Sequence, residues 1–167
     1  MNRTDDSKTD RPAGAPHQVA IVEFNDRGER DGLVTVPAVE RSDAEWRRLL
    51  SAPAFSVARK QGTEHAFTGE YWNNHDRGLY RCVCCGNALF LSDTKFDSGT
   101  GWPSFYAPVA AENVQTASDS TLLAERTEVL CTKCEAHLGH VFEDGPPPTG
   151  LRYCMNSAAL RLVPVKG

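Results

Sequence analysis

Two pairs of cysteines in this chain share one spacing, Cys82-Val-Cys-Cys85 and Cys131-Thr-Lys-Cys134. A Cys-x-x-Cys step lets two thiolates converge on one ion from a tight turn. Two such knuckles supply the four sulfurs of a closed tetrahedral zinc site. The competing reading of either pair is a redox dithiol, which a second pair of matching spacing disfavours. Residues 86 to 130 separate the knuckles, more chain than a compact zinc ribbon holds, so the ion is expected to join two distant hairpins. Four protein ligands leave no open position, so one Zn2+ on Cys82, Cys85, Cys131 and Cys134 is expected to be structural.

Cys84 and Cys154 remain. Cys84 stands too close to Cys82 for a knuckle and reads as a bystander or spare thiol. Cys154 falls in Leu151-Arg-Tyr-Cys-Met-Asn-Ser157, where a strand is expected. Arg152, two residues before it, shares its face and can lower its pKa, and Asn156, two residues after, can orient a ligand. A buried core thiol is the plainer reading, and spacing alone leaves both open. Upstream, His137 and His140 stand three apart, with Asp144 four further on. These are further metal ligands, exposed polar residues, or acid–base groups. A metal already holding four thiolates frees both histidines for proton transfer, and Cys with His is the usual minimum for an activated thiolate. In Ser98-Gly-Thr-Gly-Trp-Pro-Ser-Phe105 the turn holds Trp102 rigidly, either as a core plug or as the wall of a small apolar pocket.

Short strands are expected to carry these groups. From Ala66 onward, apolar runs broken by Gly, Asn, Asp and Pro predict Leu79–Cys82, Ala88–Leu91, Thr121–Glu125, Glu128–Cys131, Leu138–Phe142, Arg152–Met155 and Ala159–Val163. Before them a capping box, Ser42 with Glu45, opens a helix whose Trp46, Leu49 and Leu50 share a face. Pro53 ends it and opens a second short helix through Phe55, Val57 and Ala58. Residues 1–17 read as a disordered tail. Residues 18–40 are expected to form an N-terminal arm, folded as a β-hairpin around Asn25–Gly28 or laid extended on the domain, and 41–164 the main domain. The fold class expected is mainly β: a small zinc-tied antiparallel β domain with short N-terminal helices.

Hydrophobic residues make up 40% of the 167, enough for a globular core. The net charge of -4, with no basic cluster beyond Arg47-Arg48 and Arg59-Lys60, argues against a nucleic-acid-binding zinc protein and against anionic membranes. Residues Met1 to Ala15 are polar with no apolar segment, so a cytoplasmic protein is expected. In such a reducing compartment, six cysteines point to metal and catalysis rather than disulfides.

Taken together, Gly62-Thr-Glu64, the two knuckles, SGTGWPSF, CEAHLGHVFEDGP and RYCMNSAAL resemble the methionine-R-sulfoxide reductases of type B, over about three quarters of the chain from Ser42 to Pro164. The resemblance implies a β-tent-like fold, a catalytic domain over 41–164, and an enzyme that reduces the R epimer of methionine sulfoxide, free or in oxidised proteins, through a cysteine sulfenic acid. By position, Cys154 would be the nucleophile, and His140, helped by His137 and Asp144, would place the sulfoxide and supply its proton. Asn156 would hydrogen-bond in the site; Trp102, with Phe142 and Arg152, would bind substrate. Thioredoxin would be the reductant and the protein a monomer. Many relatives carry a resolving cysteine where this chain has Thr100, so direct reduction is expected, with Cys84 the alternative resolving thiol. The rival reading is a non-catalytic zinc-tied module with an aromatic cage of Trp102 and Phe105.

Overall fold

A computed structural model describes residues 17–120 and 125–165. The chain opens with β1 (Gln18–Phe24) and β2 (Arg30–Pro37), an antiparallel pair closed over Asn25, whose side chain accepts from the backbone N–H groups of Arg27 and Glu29. The tail expected at residues 1–17 lies, but for His17, outside the described residues.

Two short helices follow. In α1 (Asp43–Leu49) the capping box is complete: Ser42 Oγ accepts from Glu45 N–H, and Glu45 accepts from Ser42 N–H. The apolar face is narrower than the spacing suggested. Trp46 is buried beneath the Arg59 guanidinium, whereas Leu49 is 61% exposed because the helix ends before its last turn meets a partner. Helix α2 (Ala52–Lys60), with Pro53 in its first turn, buries Ala54, Phe55, Val57 and Ala58.

The rest is antiparallel β. One sheet has the order β11 (Leu160–Pro164), β3 (Gly78–Cys82), β4 (Ala88–Leu91). The larger has six strands in the order β5 (Lys95–Phe96), β6 (Ser104–Phe105), β10 (Arg152–Met155), β9 (His137–Phe142), β8 (Arg126–Cys131), β7 (Val114–Asp119). The strand expected at Thr121–Glu125 falls on residues 121–124, outside the described residues, and Glu125 is not in a strand. The edge strand β7 (VQTASD) has no apolar alternation to betray it and is held by its full ladder to β8.

The core gathers side chains from both sheets. Phe90 stacks on Phe105 at 4.4 Å between centroids, Tyr80 meets Phe105 edge-on at 5.1 Å, and Leu89, Leu138, Val129 and Met155 fill the space around them. Such a ring, wholly enclosed, contributes about 3–5 kcal/mol against truncation to alanine. Phe105 is therefore a core residue with no face free for a ligand cage. Among the described residues no helix is long and apolar enough to cross a membrane.

Candidate active site and metal centre

The register of the large sheet lays out the site. Cys154 on β10 pairs directly with Ser104 on β6 and His140 on β9; His140 pairs with Glu128 on β8, and Glu128 with Ala117 on β7. Direct partners point to the same face, so one row carries thiol, imidazole and carboxylate side by side. Two residues along each strand the pattern repeats: Arg152 pairs with Phe142, and Arg126 with Asp119.

Over this face lies a cavity of about 300 Å³ lined by Thr63, Thr100, Trp102, Arg126, Gly139, His140, Phe142, Arg152, Cys154 and Asn156 among others. Gly139 is required there by packing: a Cβ on it would lie 2.1 Å from the carbonyl oxygen of Cys154. Trp102 is fixed by its Nε1–H, which donates to Glu64 O at 3.0 Å, and by Gly101, whose φ of 93° suits glycine and whose missing Cβ would strike Phe67. Glu64 also donates its N–H to Asn156 Oδ1 at 3.0 Å, while its carboxylate accepts from Ser157 and Ala158 N–H at 2.9 and 3.0 Å. Sequence reading took Gly62-Thr-Glu64 only as a motif; the structure makes Glu64 the clasp between indole and amide. Asn156 Nδ2 donates to Leu138 O, so one amide proton is left for a ligand.

The Cys154 thiol is pushed up from the ordinary cysteine range, first by burial; the Arg152 charge and the Thr100 hydroxyl pull it down, and Glu64 pushes it up. The lowering by Arg152 expected from spacing is present, but burial outweighs it. Arg152 lies over the Phe142 ring and grips Asp144 through Nε and an Nη at 2.8 and 3.0 Å. That partner holds the Asp144 carboxyl below its ordinary range. Asp144 thus sits outside the cavity, at the exposed end of an ion pair, and makes no bond to either histidine.

His137 is buried behind the cavity. Its Nδ1 lies 2.6 Å from Glu128 Oε2, its Nε2 has no partner, and its ring meets His140 edge-on at 5.4 Å. Burial lowers its pKa, partly offset by Glu128. His140 has its own carboxylate, Asp119, with Nε2 to Oδ2 at 2.8 Å. Sequence reading missed Asp119 and Glu128, because a lone carboxylate on a strand reads as a solvated position. Glu128 stands an odd three residues before Cys131, so strand alternation carried no signal for it.

Away from this cavity the two knuckles close on each other. Each is a strand-end turn of the same build: Gly86 N–H to Cys82 O and Cys82 N–H to Asn87 O in one, Glu135 N–H to Cys131 O and Cys131 N–H to Ala136 O in the other. Cys82 and Cys134 Sγ are 3.6 Å apart, Cys85 and Cys131 Sγ 3.5 Å, and all four lie within 4.8 Å of one another. Four soft donors around one point are the donor set of a tetrahedral metal ion. Since β3 and β8 belong to different sheets, such an ion ties the two sheets together. Cys84 is outside the set; its thiol faces Arg59, Cys82 and Cys134 and does not line the catalytic cavity.

A family model described as the SelR domain matches residues 50–164, leaving β1, β2 and α1 before it. A peptide methionine sulfoxide reductase MsrB of Thiobacillus denitrificans is 58% identical over 124 residues, covering 74% of this chain and 94% of that protein. One from Agrobacterium fabrum is 53% identical over 132 residues, 79% of this chain and 98% of that protein. The chloroplastic peptide methionine sulfoxide reductase B1 of Oryza sativa subsp. japonica is 58% identical over 122 residues, 72% of this chain and 56% of that protein.

Proposed function

The chain belongs to the SelR-domain family, the methionine-R-sulfoxide reductases of type B, and from that premise we propose how its residues divide the work. The protein is an oxidoreductase acting on the R sulfoxide of methionine, and its non-catalytic rival, the aromatic-cage module, loses Phe105 to the core.

The observation that carries the residue roles is the direct pairing of Cys154 with His140 under the Trp102 indole. A sulfoxide oxygen leaves only as it gains a proton, so thiolate and acid must meet opposite ends of one S–O bond. The S-methyl group rests against Trp102. The Cys154 thiolate attacks the sulfoxide sulfur while His140 gives its proton to the oxygen. The oxygen passes to the cysteine, leaving methionine, reduced by two electrons, and a sulfenic acid on Cys154. Two equivalents of external thiol then return Cys154 to its thiol, with a disulfide and water as products. Asn156 and Arg152 hold the substrate, with Phe142 beside them; His137 supports the His140 ring.

The metal is assigned as one structural zinc. Zn–S bonds of ~2.3 Å require a tetrahedron with edges near 3.8 Å, and the sulfur spacings are of that size. When bound, zinc supplies cross-linking and no reacting group. Residues 41–164 form the catalytic domain in this reading, with 18–40 an added arm. The substrates are free methionine sulfoxide and oxidised proteins, thioredoxin is the reductant, and the enzyme works as a cytoplasmic monomer. Separate assays of R and S methionine sulfoxide with dithiothreitol test the function: R is reduced and S is not. Equal reduction of both, or of neither, would overturn it.

A further inference from the structure

We infer that Asp119 is the positioning residue of His140: it fixes the imidazole so that Nδ1 is the atom that carries the proton to the sulfoxide. This deepens the reading above and rests on it for the identity of the substrate.

Three carboxylates stand near the two histidines, and the one bonded to His140 is Asp119. Asp144 is spent on Arg152 at the surface. Glu128 is the cross-strand partner of His140, yet its Oε2 bonds His137 Nδ1 at 2.6 Å and receives Gln61 Nε2 at 3.1 Å. Asp119, at the end of β7, reaches across β8 to His140, with Oδ2 2.8 Å from Nε2. Its strand partner Arg126 places an Nη 3.5 Å from the same oxygen. The side chains of His140 and Asp119 are 11% and 16% exposed, so little water competes for the bond.

A carboxylate can only accept, so the proton on Nε2 is fixed. The second proton of the imidazolium must then reside on Nδ1, which makes no hydrogen bond among the described residues, while the ring lines the cavity. The same bond holds the ring beside Cys154. After transfer, the neutral ring keeps its Nε2 proton. Without Asp119 the ring would rotate and sample both tautomers, and fewer encounters would find a proton facing the oxygen.

Two readouts on the full-length, metal-loaded protein test this. For Asp119→Ala and Asp119→Asn, the single-turnover rate of sulfenic acid formation from L-methionine-(R)-sulfoxide should fall at least ~10-fold. That is part of the 10²–10⁴-fold due to a whole acid–base group. KM should stay within about threefold, because substrate contacts are untouched. Long-range 1H–15N spectra at alkaline pH should show His140 as one tautomer, protonated at Nε2, and as a mixture in Asp119→Ala. Loss of the His140→Gln signals supplies the assignment. Wild-type rates in both variants, or a rate loss with the single tautomer retained, would overturn the inference. Should Asp119→Ala fail to fold, the near-isosteric Asp119→Asn decides. The spectra involve no substrate, so a wild-type protein inert toward sulfoxide would fail the functional reading while the tautomer still reports on Asp119.

Discussion

Cys154 and His140 are direct antiparallel partners, one on β10 and one on β9, with Gly139 beside them allowing the two backbones their close approach. A nucleophile and an acid paired in this way are held by ladder hydrogen bonds rather than by loop contacts, so their separation is fixed before substrate arrives.

Replacing the nucleophile should therefore separate chemistry from structure. Cys154→Ser should retain metal content, circular dichroism and melting temperature, because serine is smaller and the ladder is backbone-made. Turnover should be abolished, since a hydroxyl is far less nucleophilic than a thiolate at neutral pH. Substantial residual sulfoxide reduction would remove Cys154 from the mechanism.

In the substrate-free enzyme the Cys154 thiol should titrate above the ordinary cysteine value of about 8.5. Burial disfavours the charged thiolate, while Arg152 and Thr100 favour it and only partly offset burial. The rate of alkylation by iodoacetamide should thus rise with pH through an inflection above that value. Arg152→Met removes the favouring charge, so its inflection should move to still higher pH. An inflection that stays put in Arg152→Met would show that the guanidinium does not act on the thiolate.

How much of this was legible in the sequence depends on how residue type announces its role. Cysteines at fixed spacing name their own site, and both knuckles formed as the spacing predicted. Cys154, His140 and Trp102, brought together by the resemblance, line one cavity. What escaped was decided across strands. Asp119 and Glu128 look like solvent-facing charges until register sets them against His140 and His137. Edge strand β7 carries no apolar period, because neither face needs to be apolar at a sheet edge. Asp144, four residues after His140, seemed a partner for the histidines, but it pairs with Arg152 instead.

The buried His137 gives the fold a pH dependence of definite sign. Burial depresses its pKa in the folded state, so the unfolded chain binds that proton more readily. Its stabilising contribution is complete above the unfolded histidine value of about 6.5 and is lost as pH falls from there toward the lower folded value. Urea midpoints should fall over that window, and His137→Gln should flatten the fall. A variant that keeps the full slope would assign the dependence to other groups.

Metal removal should cost the fold, not only a ligand. The four thiolates join β3 of one sheet to β8 of the other, and no other covalent or coordinate link ties them among the described residues. Purified protein should hold about one zinc per chain, and Cys131→Ser should release it and unfold the domain, because knuckle closure and folding are coupled. Metal analysis finding a folded, active, zinc-free protein would contradict the structural role.

Recycling is where Thr100 matters. Its hydroxyl is near enough to Cys154 to stabilise the thiolate, yet oxygen cannot form a disulfide. Sulfenic acid condenses with whatever thiol is close, and Cys84 lies with Arg59 and the knuckle sulfurs instead of in the cavity. After one turnover without reductant, dimedone should label Cys154, and mass spectrometry should find no internal disulfide. Cys84→Ser should turn over at near the wild-type rate with dithiothreitol or thioredoxin. Thr100→Cys supplies the missing sulfur at the right place, so its sulfenic acid should collapse to a disulfide with Cys154 and lose its dimedone adduct. A Cys84–Cys154 disulfide in the wild-type protein, with thioredoxin turnover lost in Cys84→Ser, would instead show that the knuckle turn opens to deliver a resolving thiol.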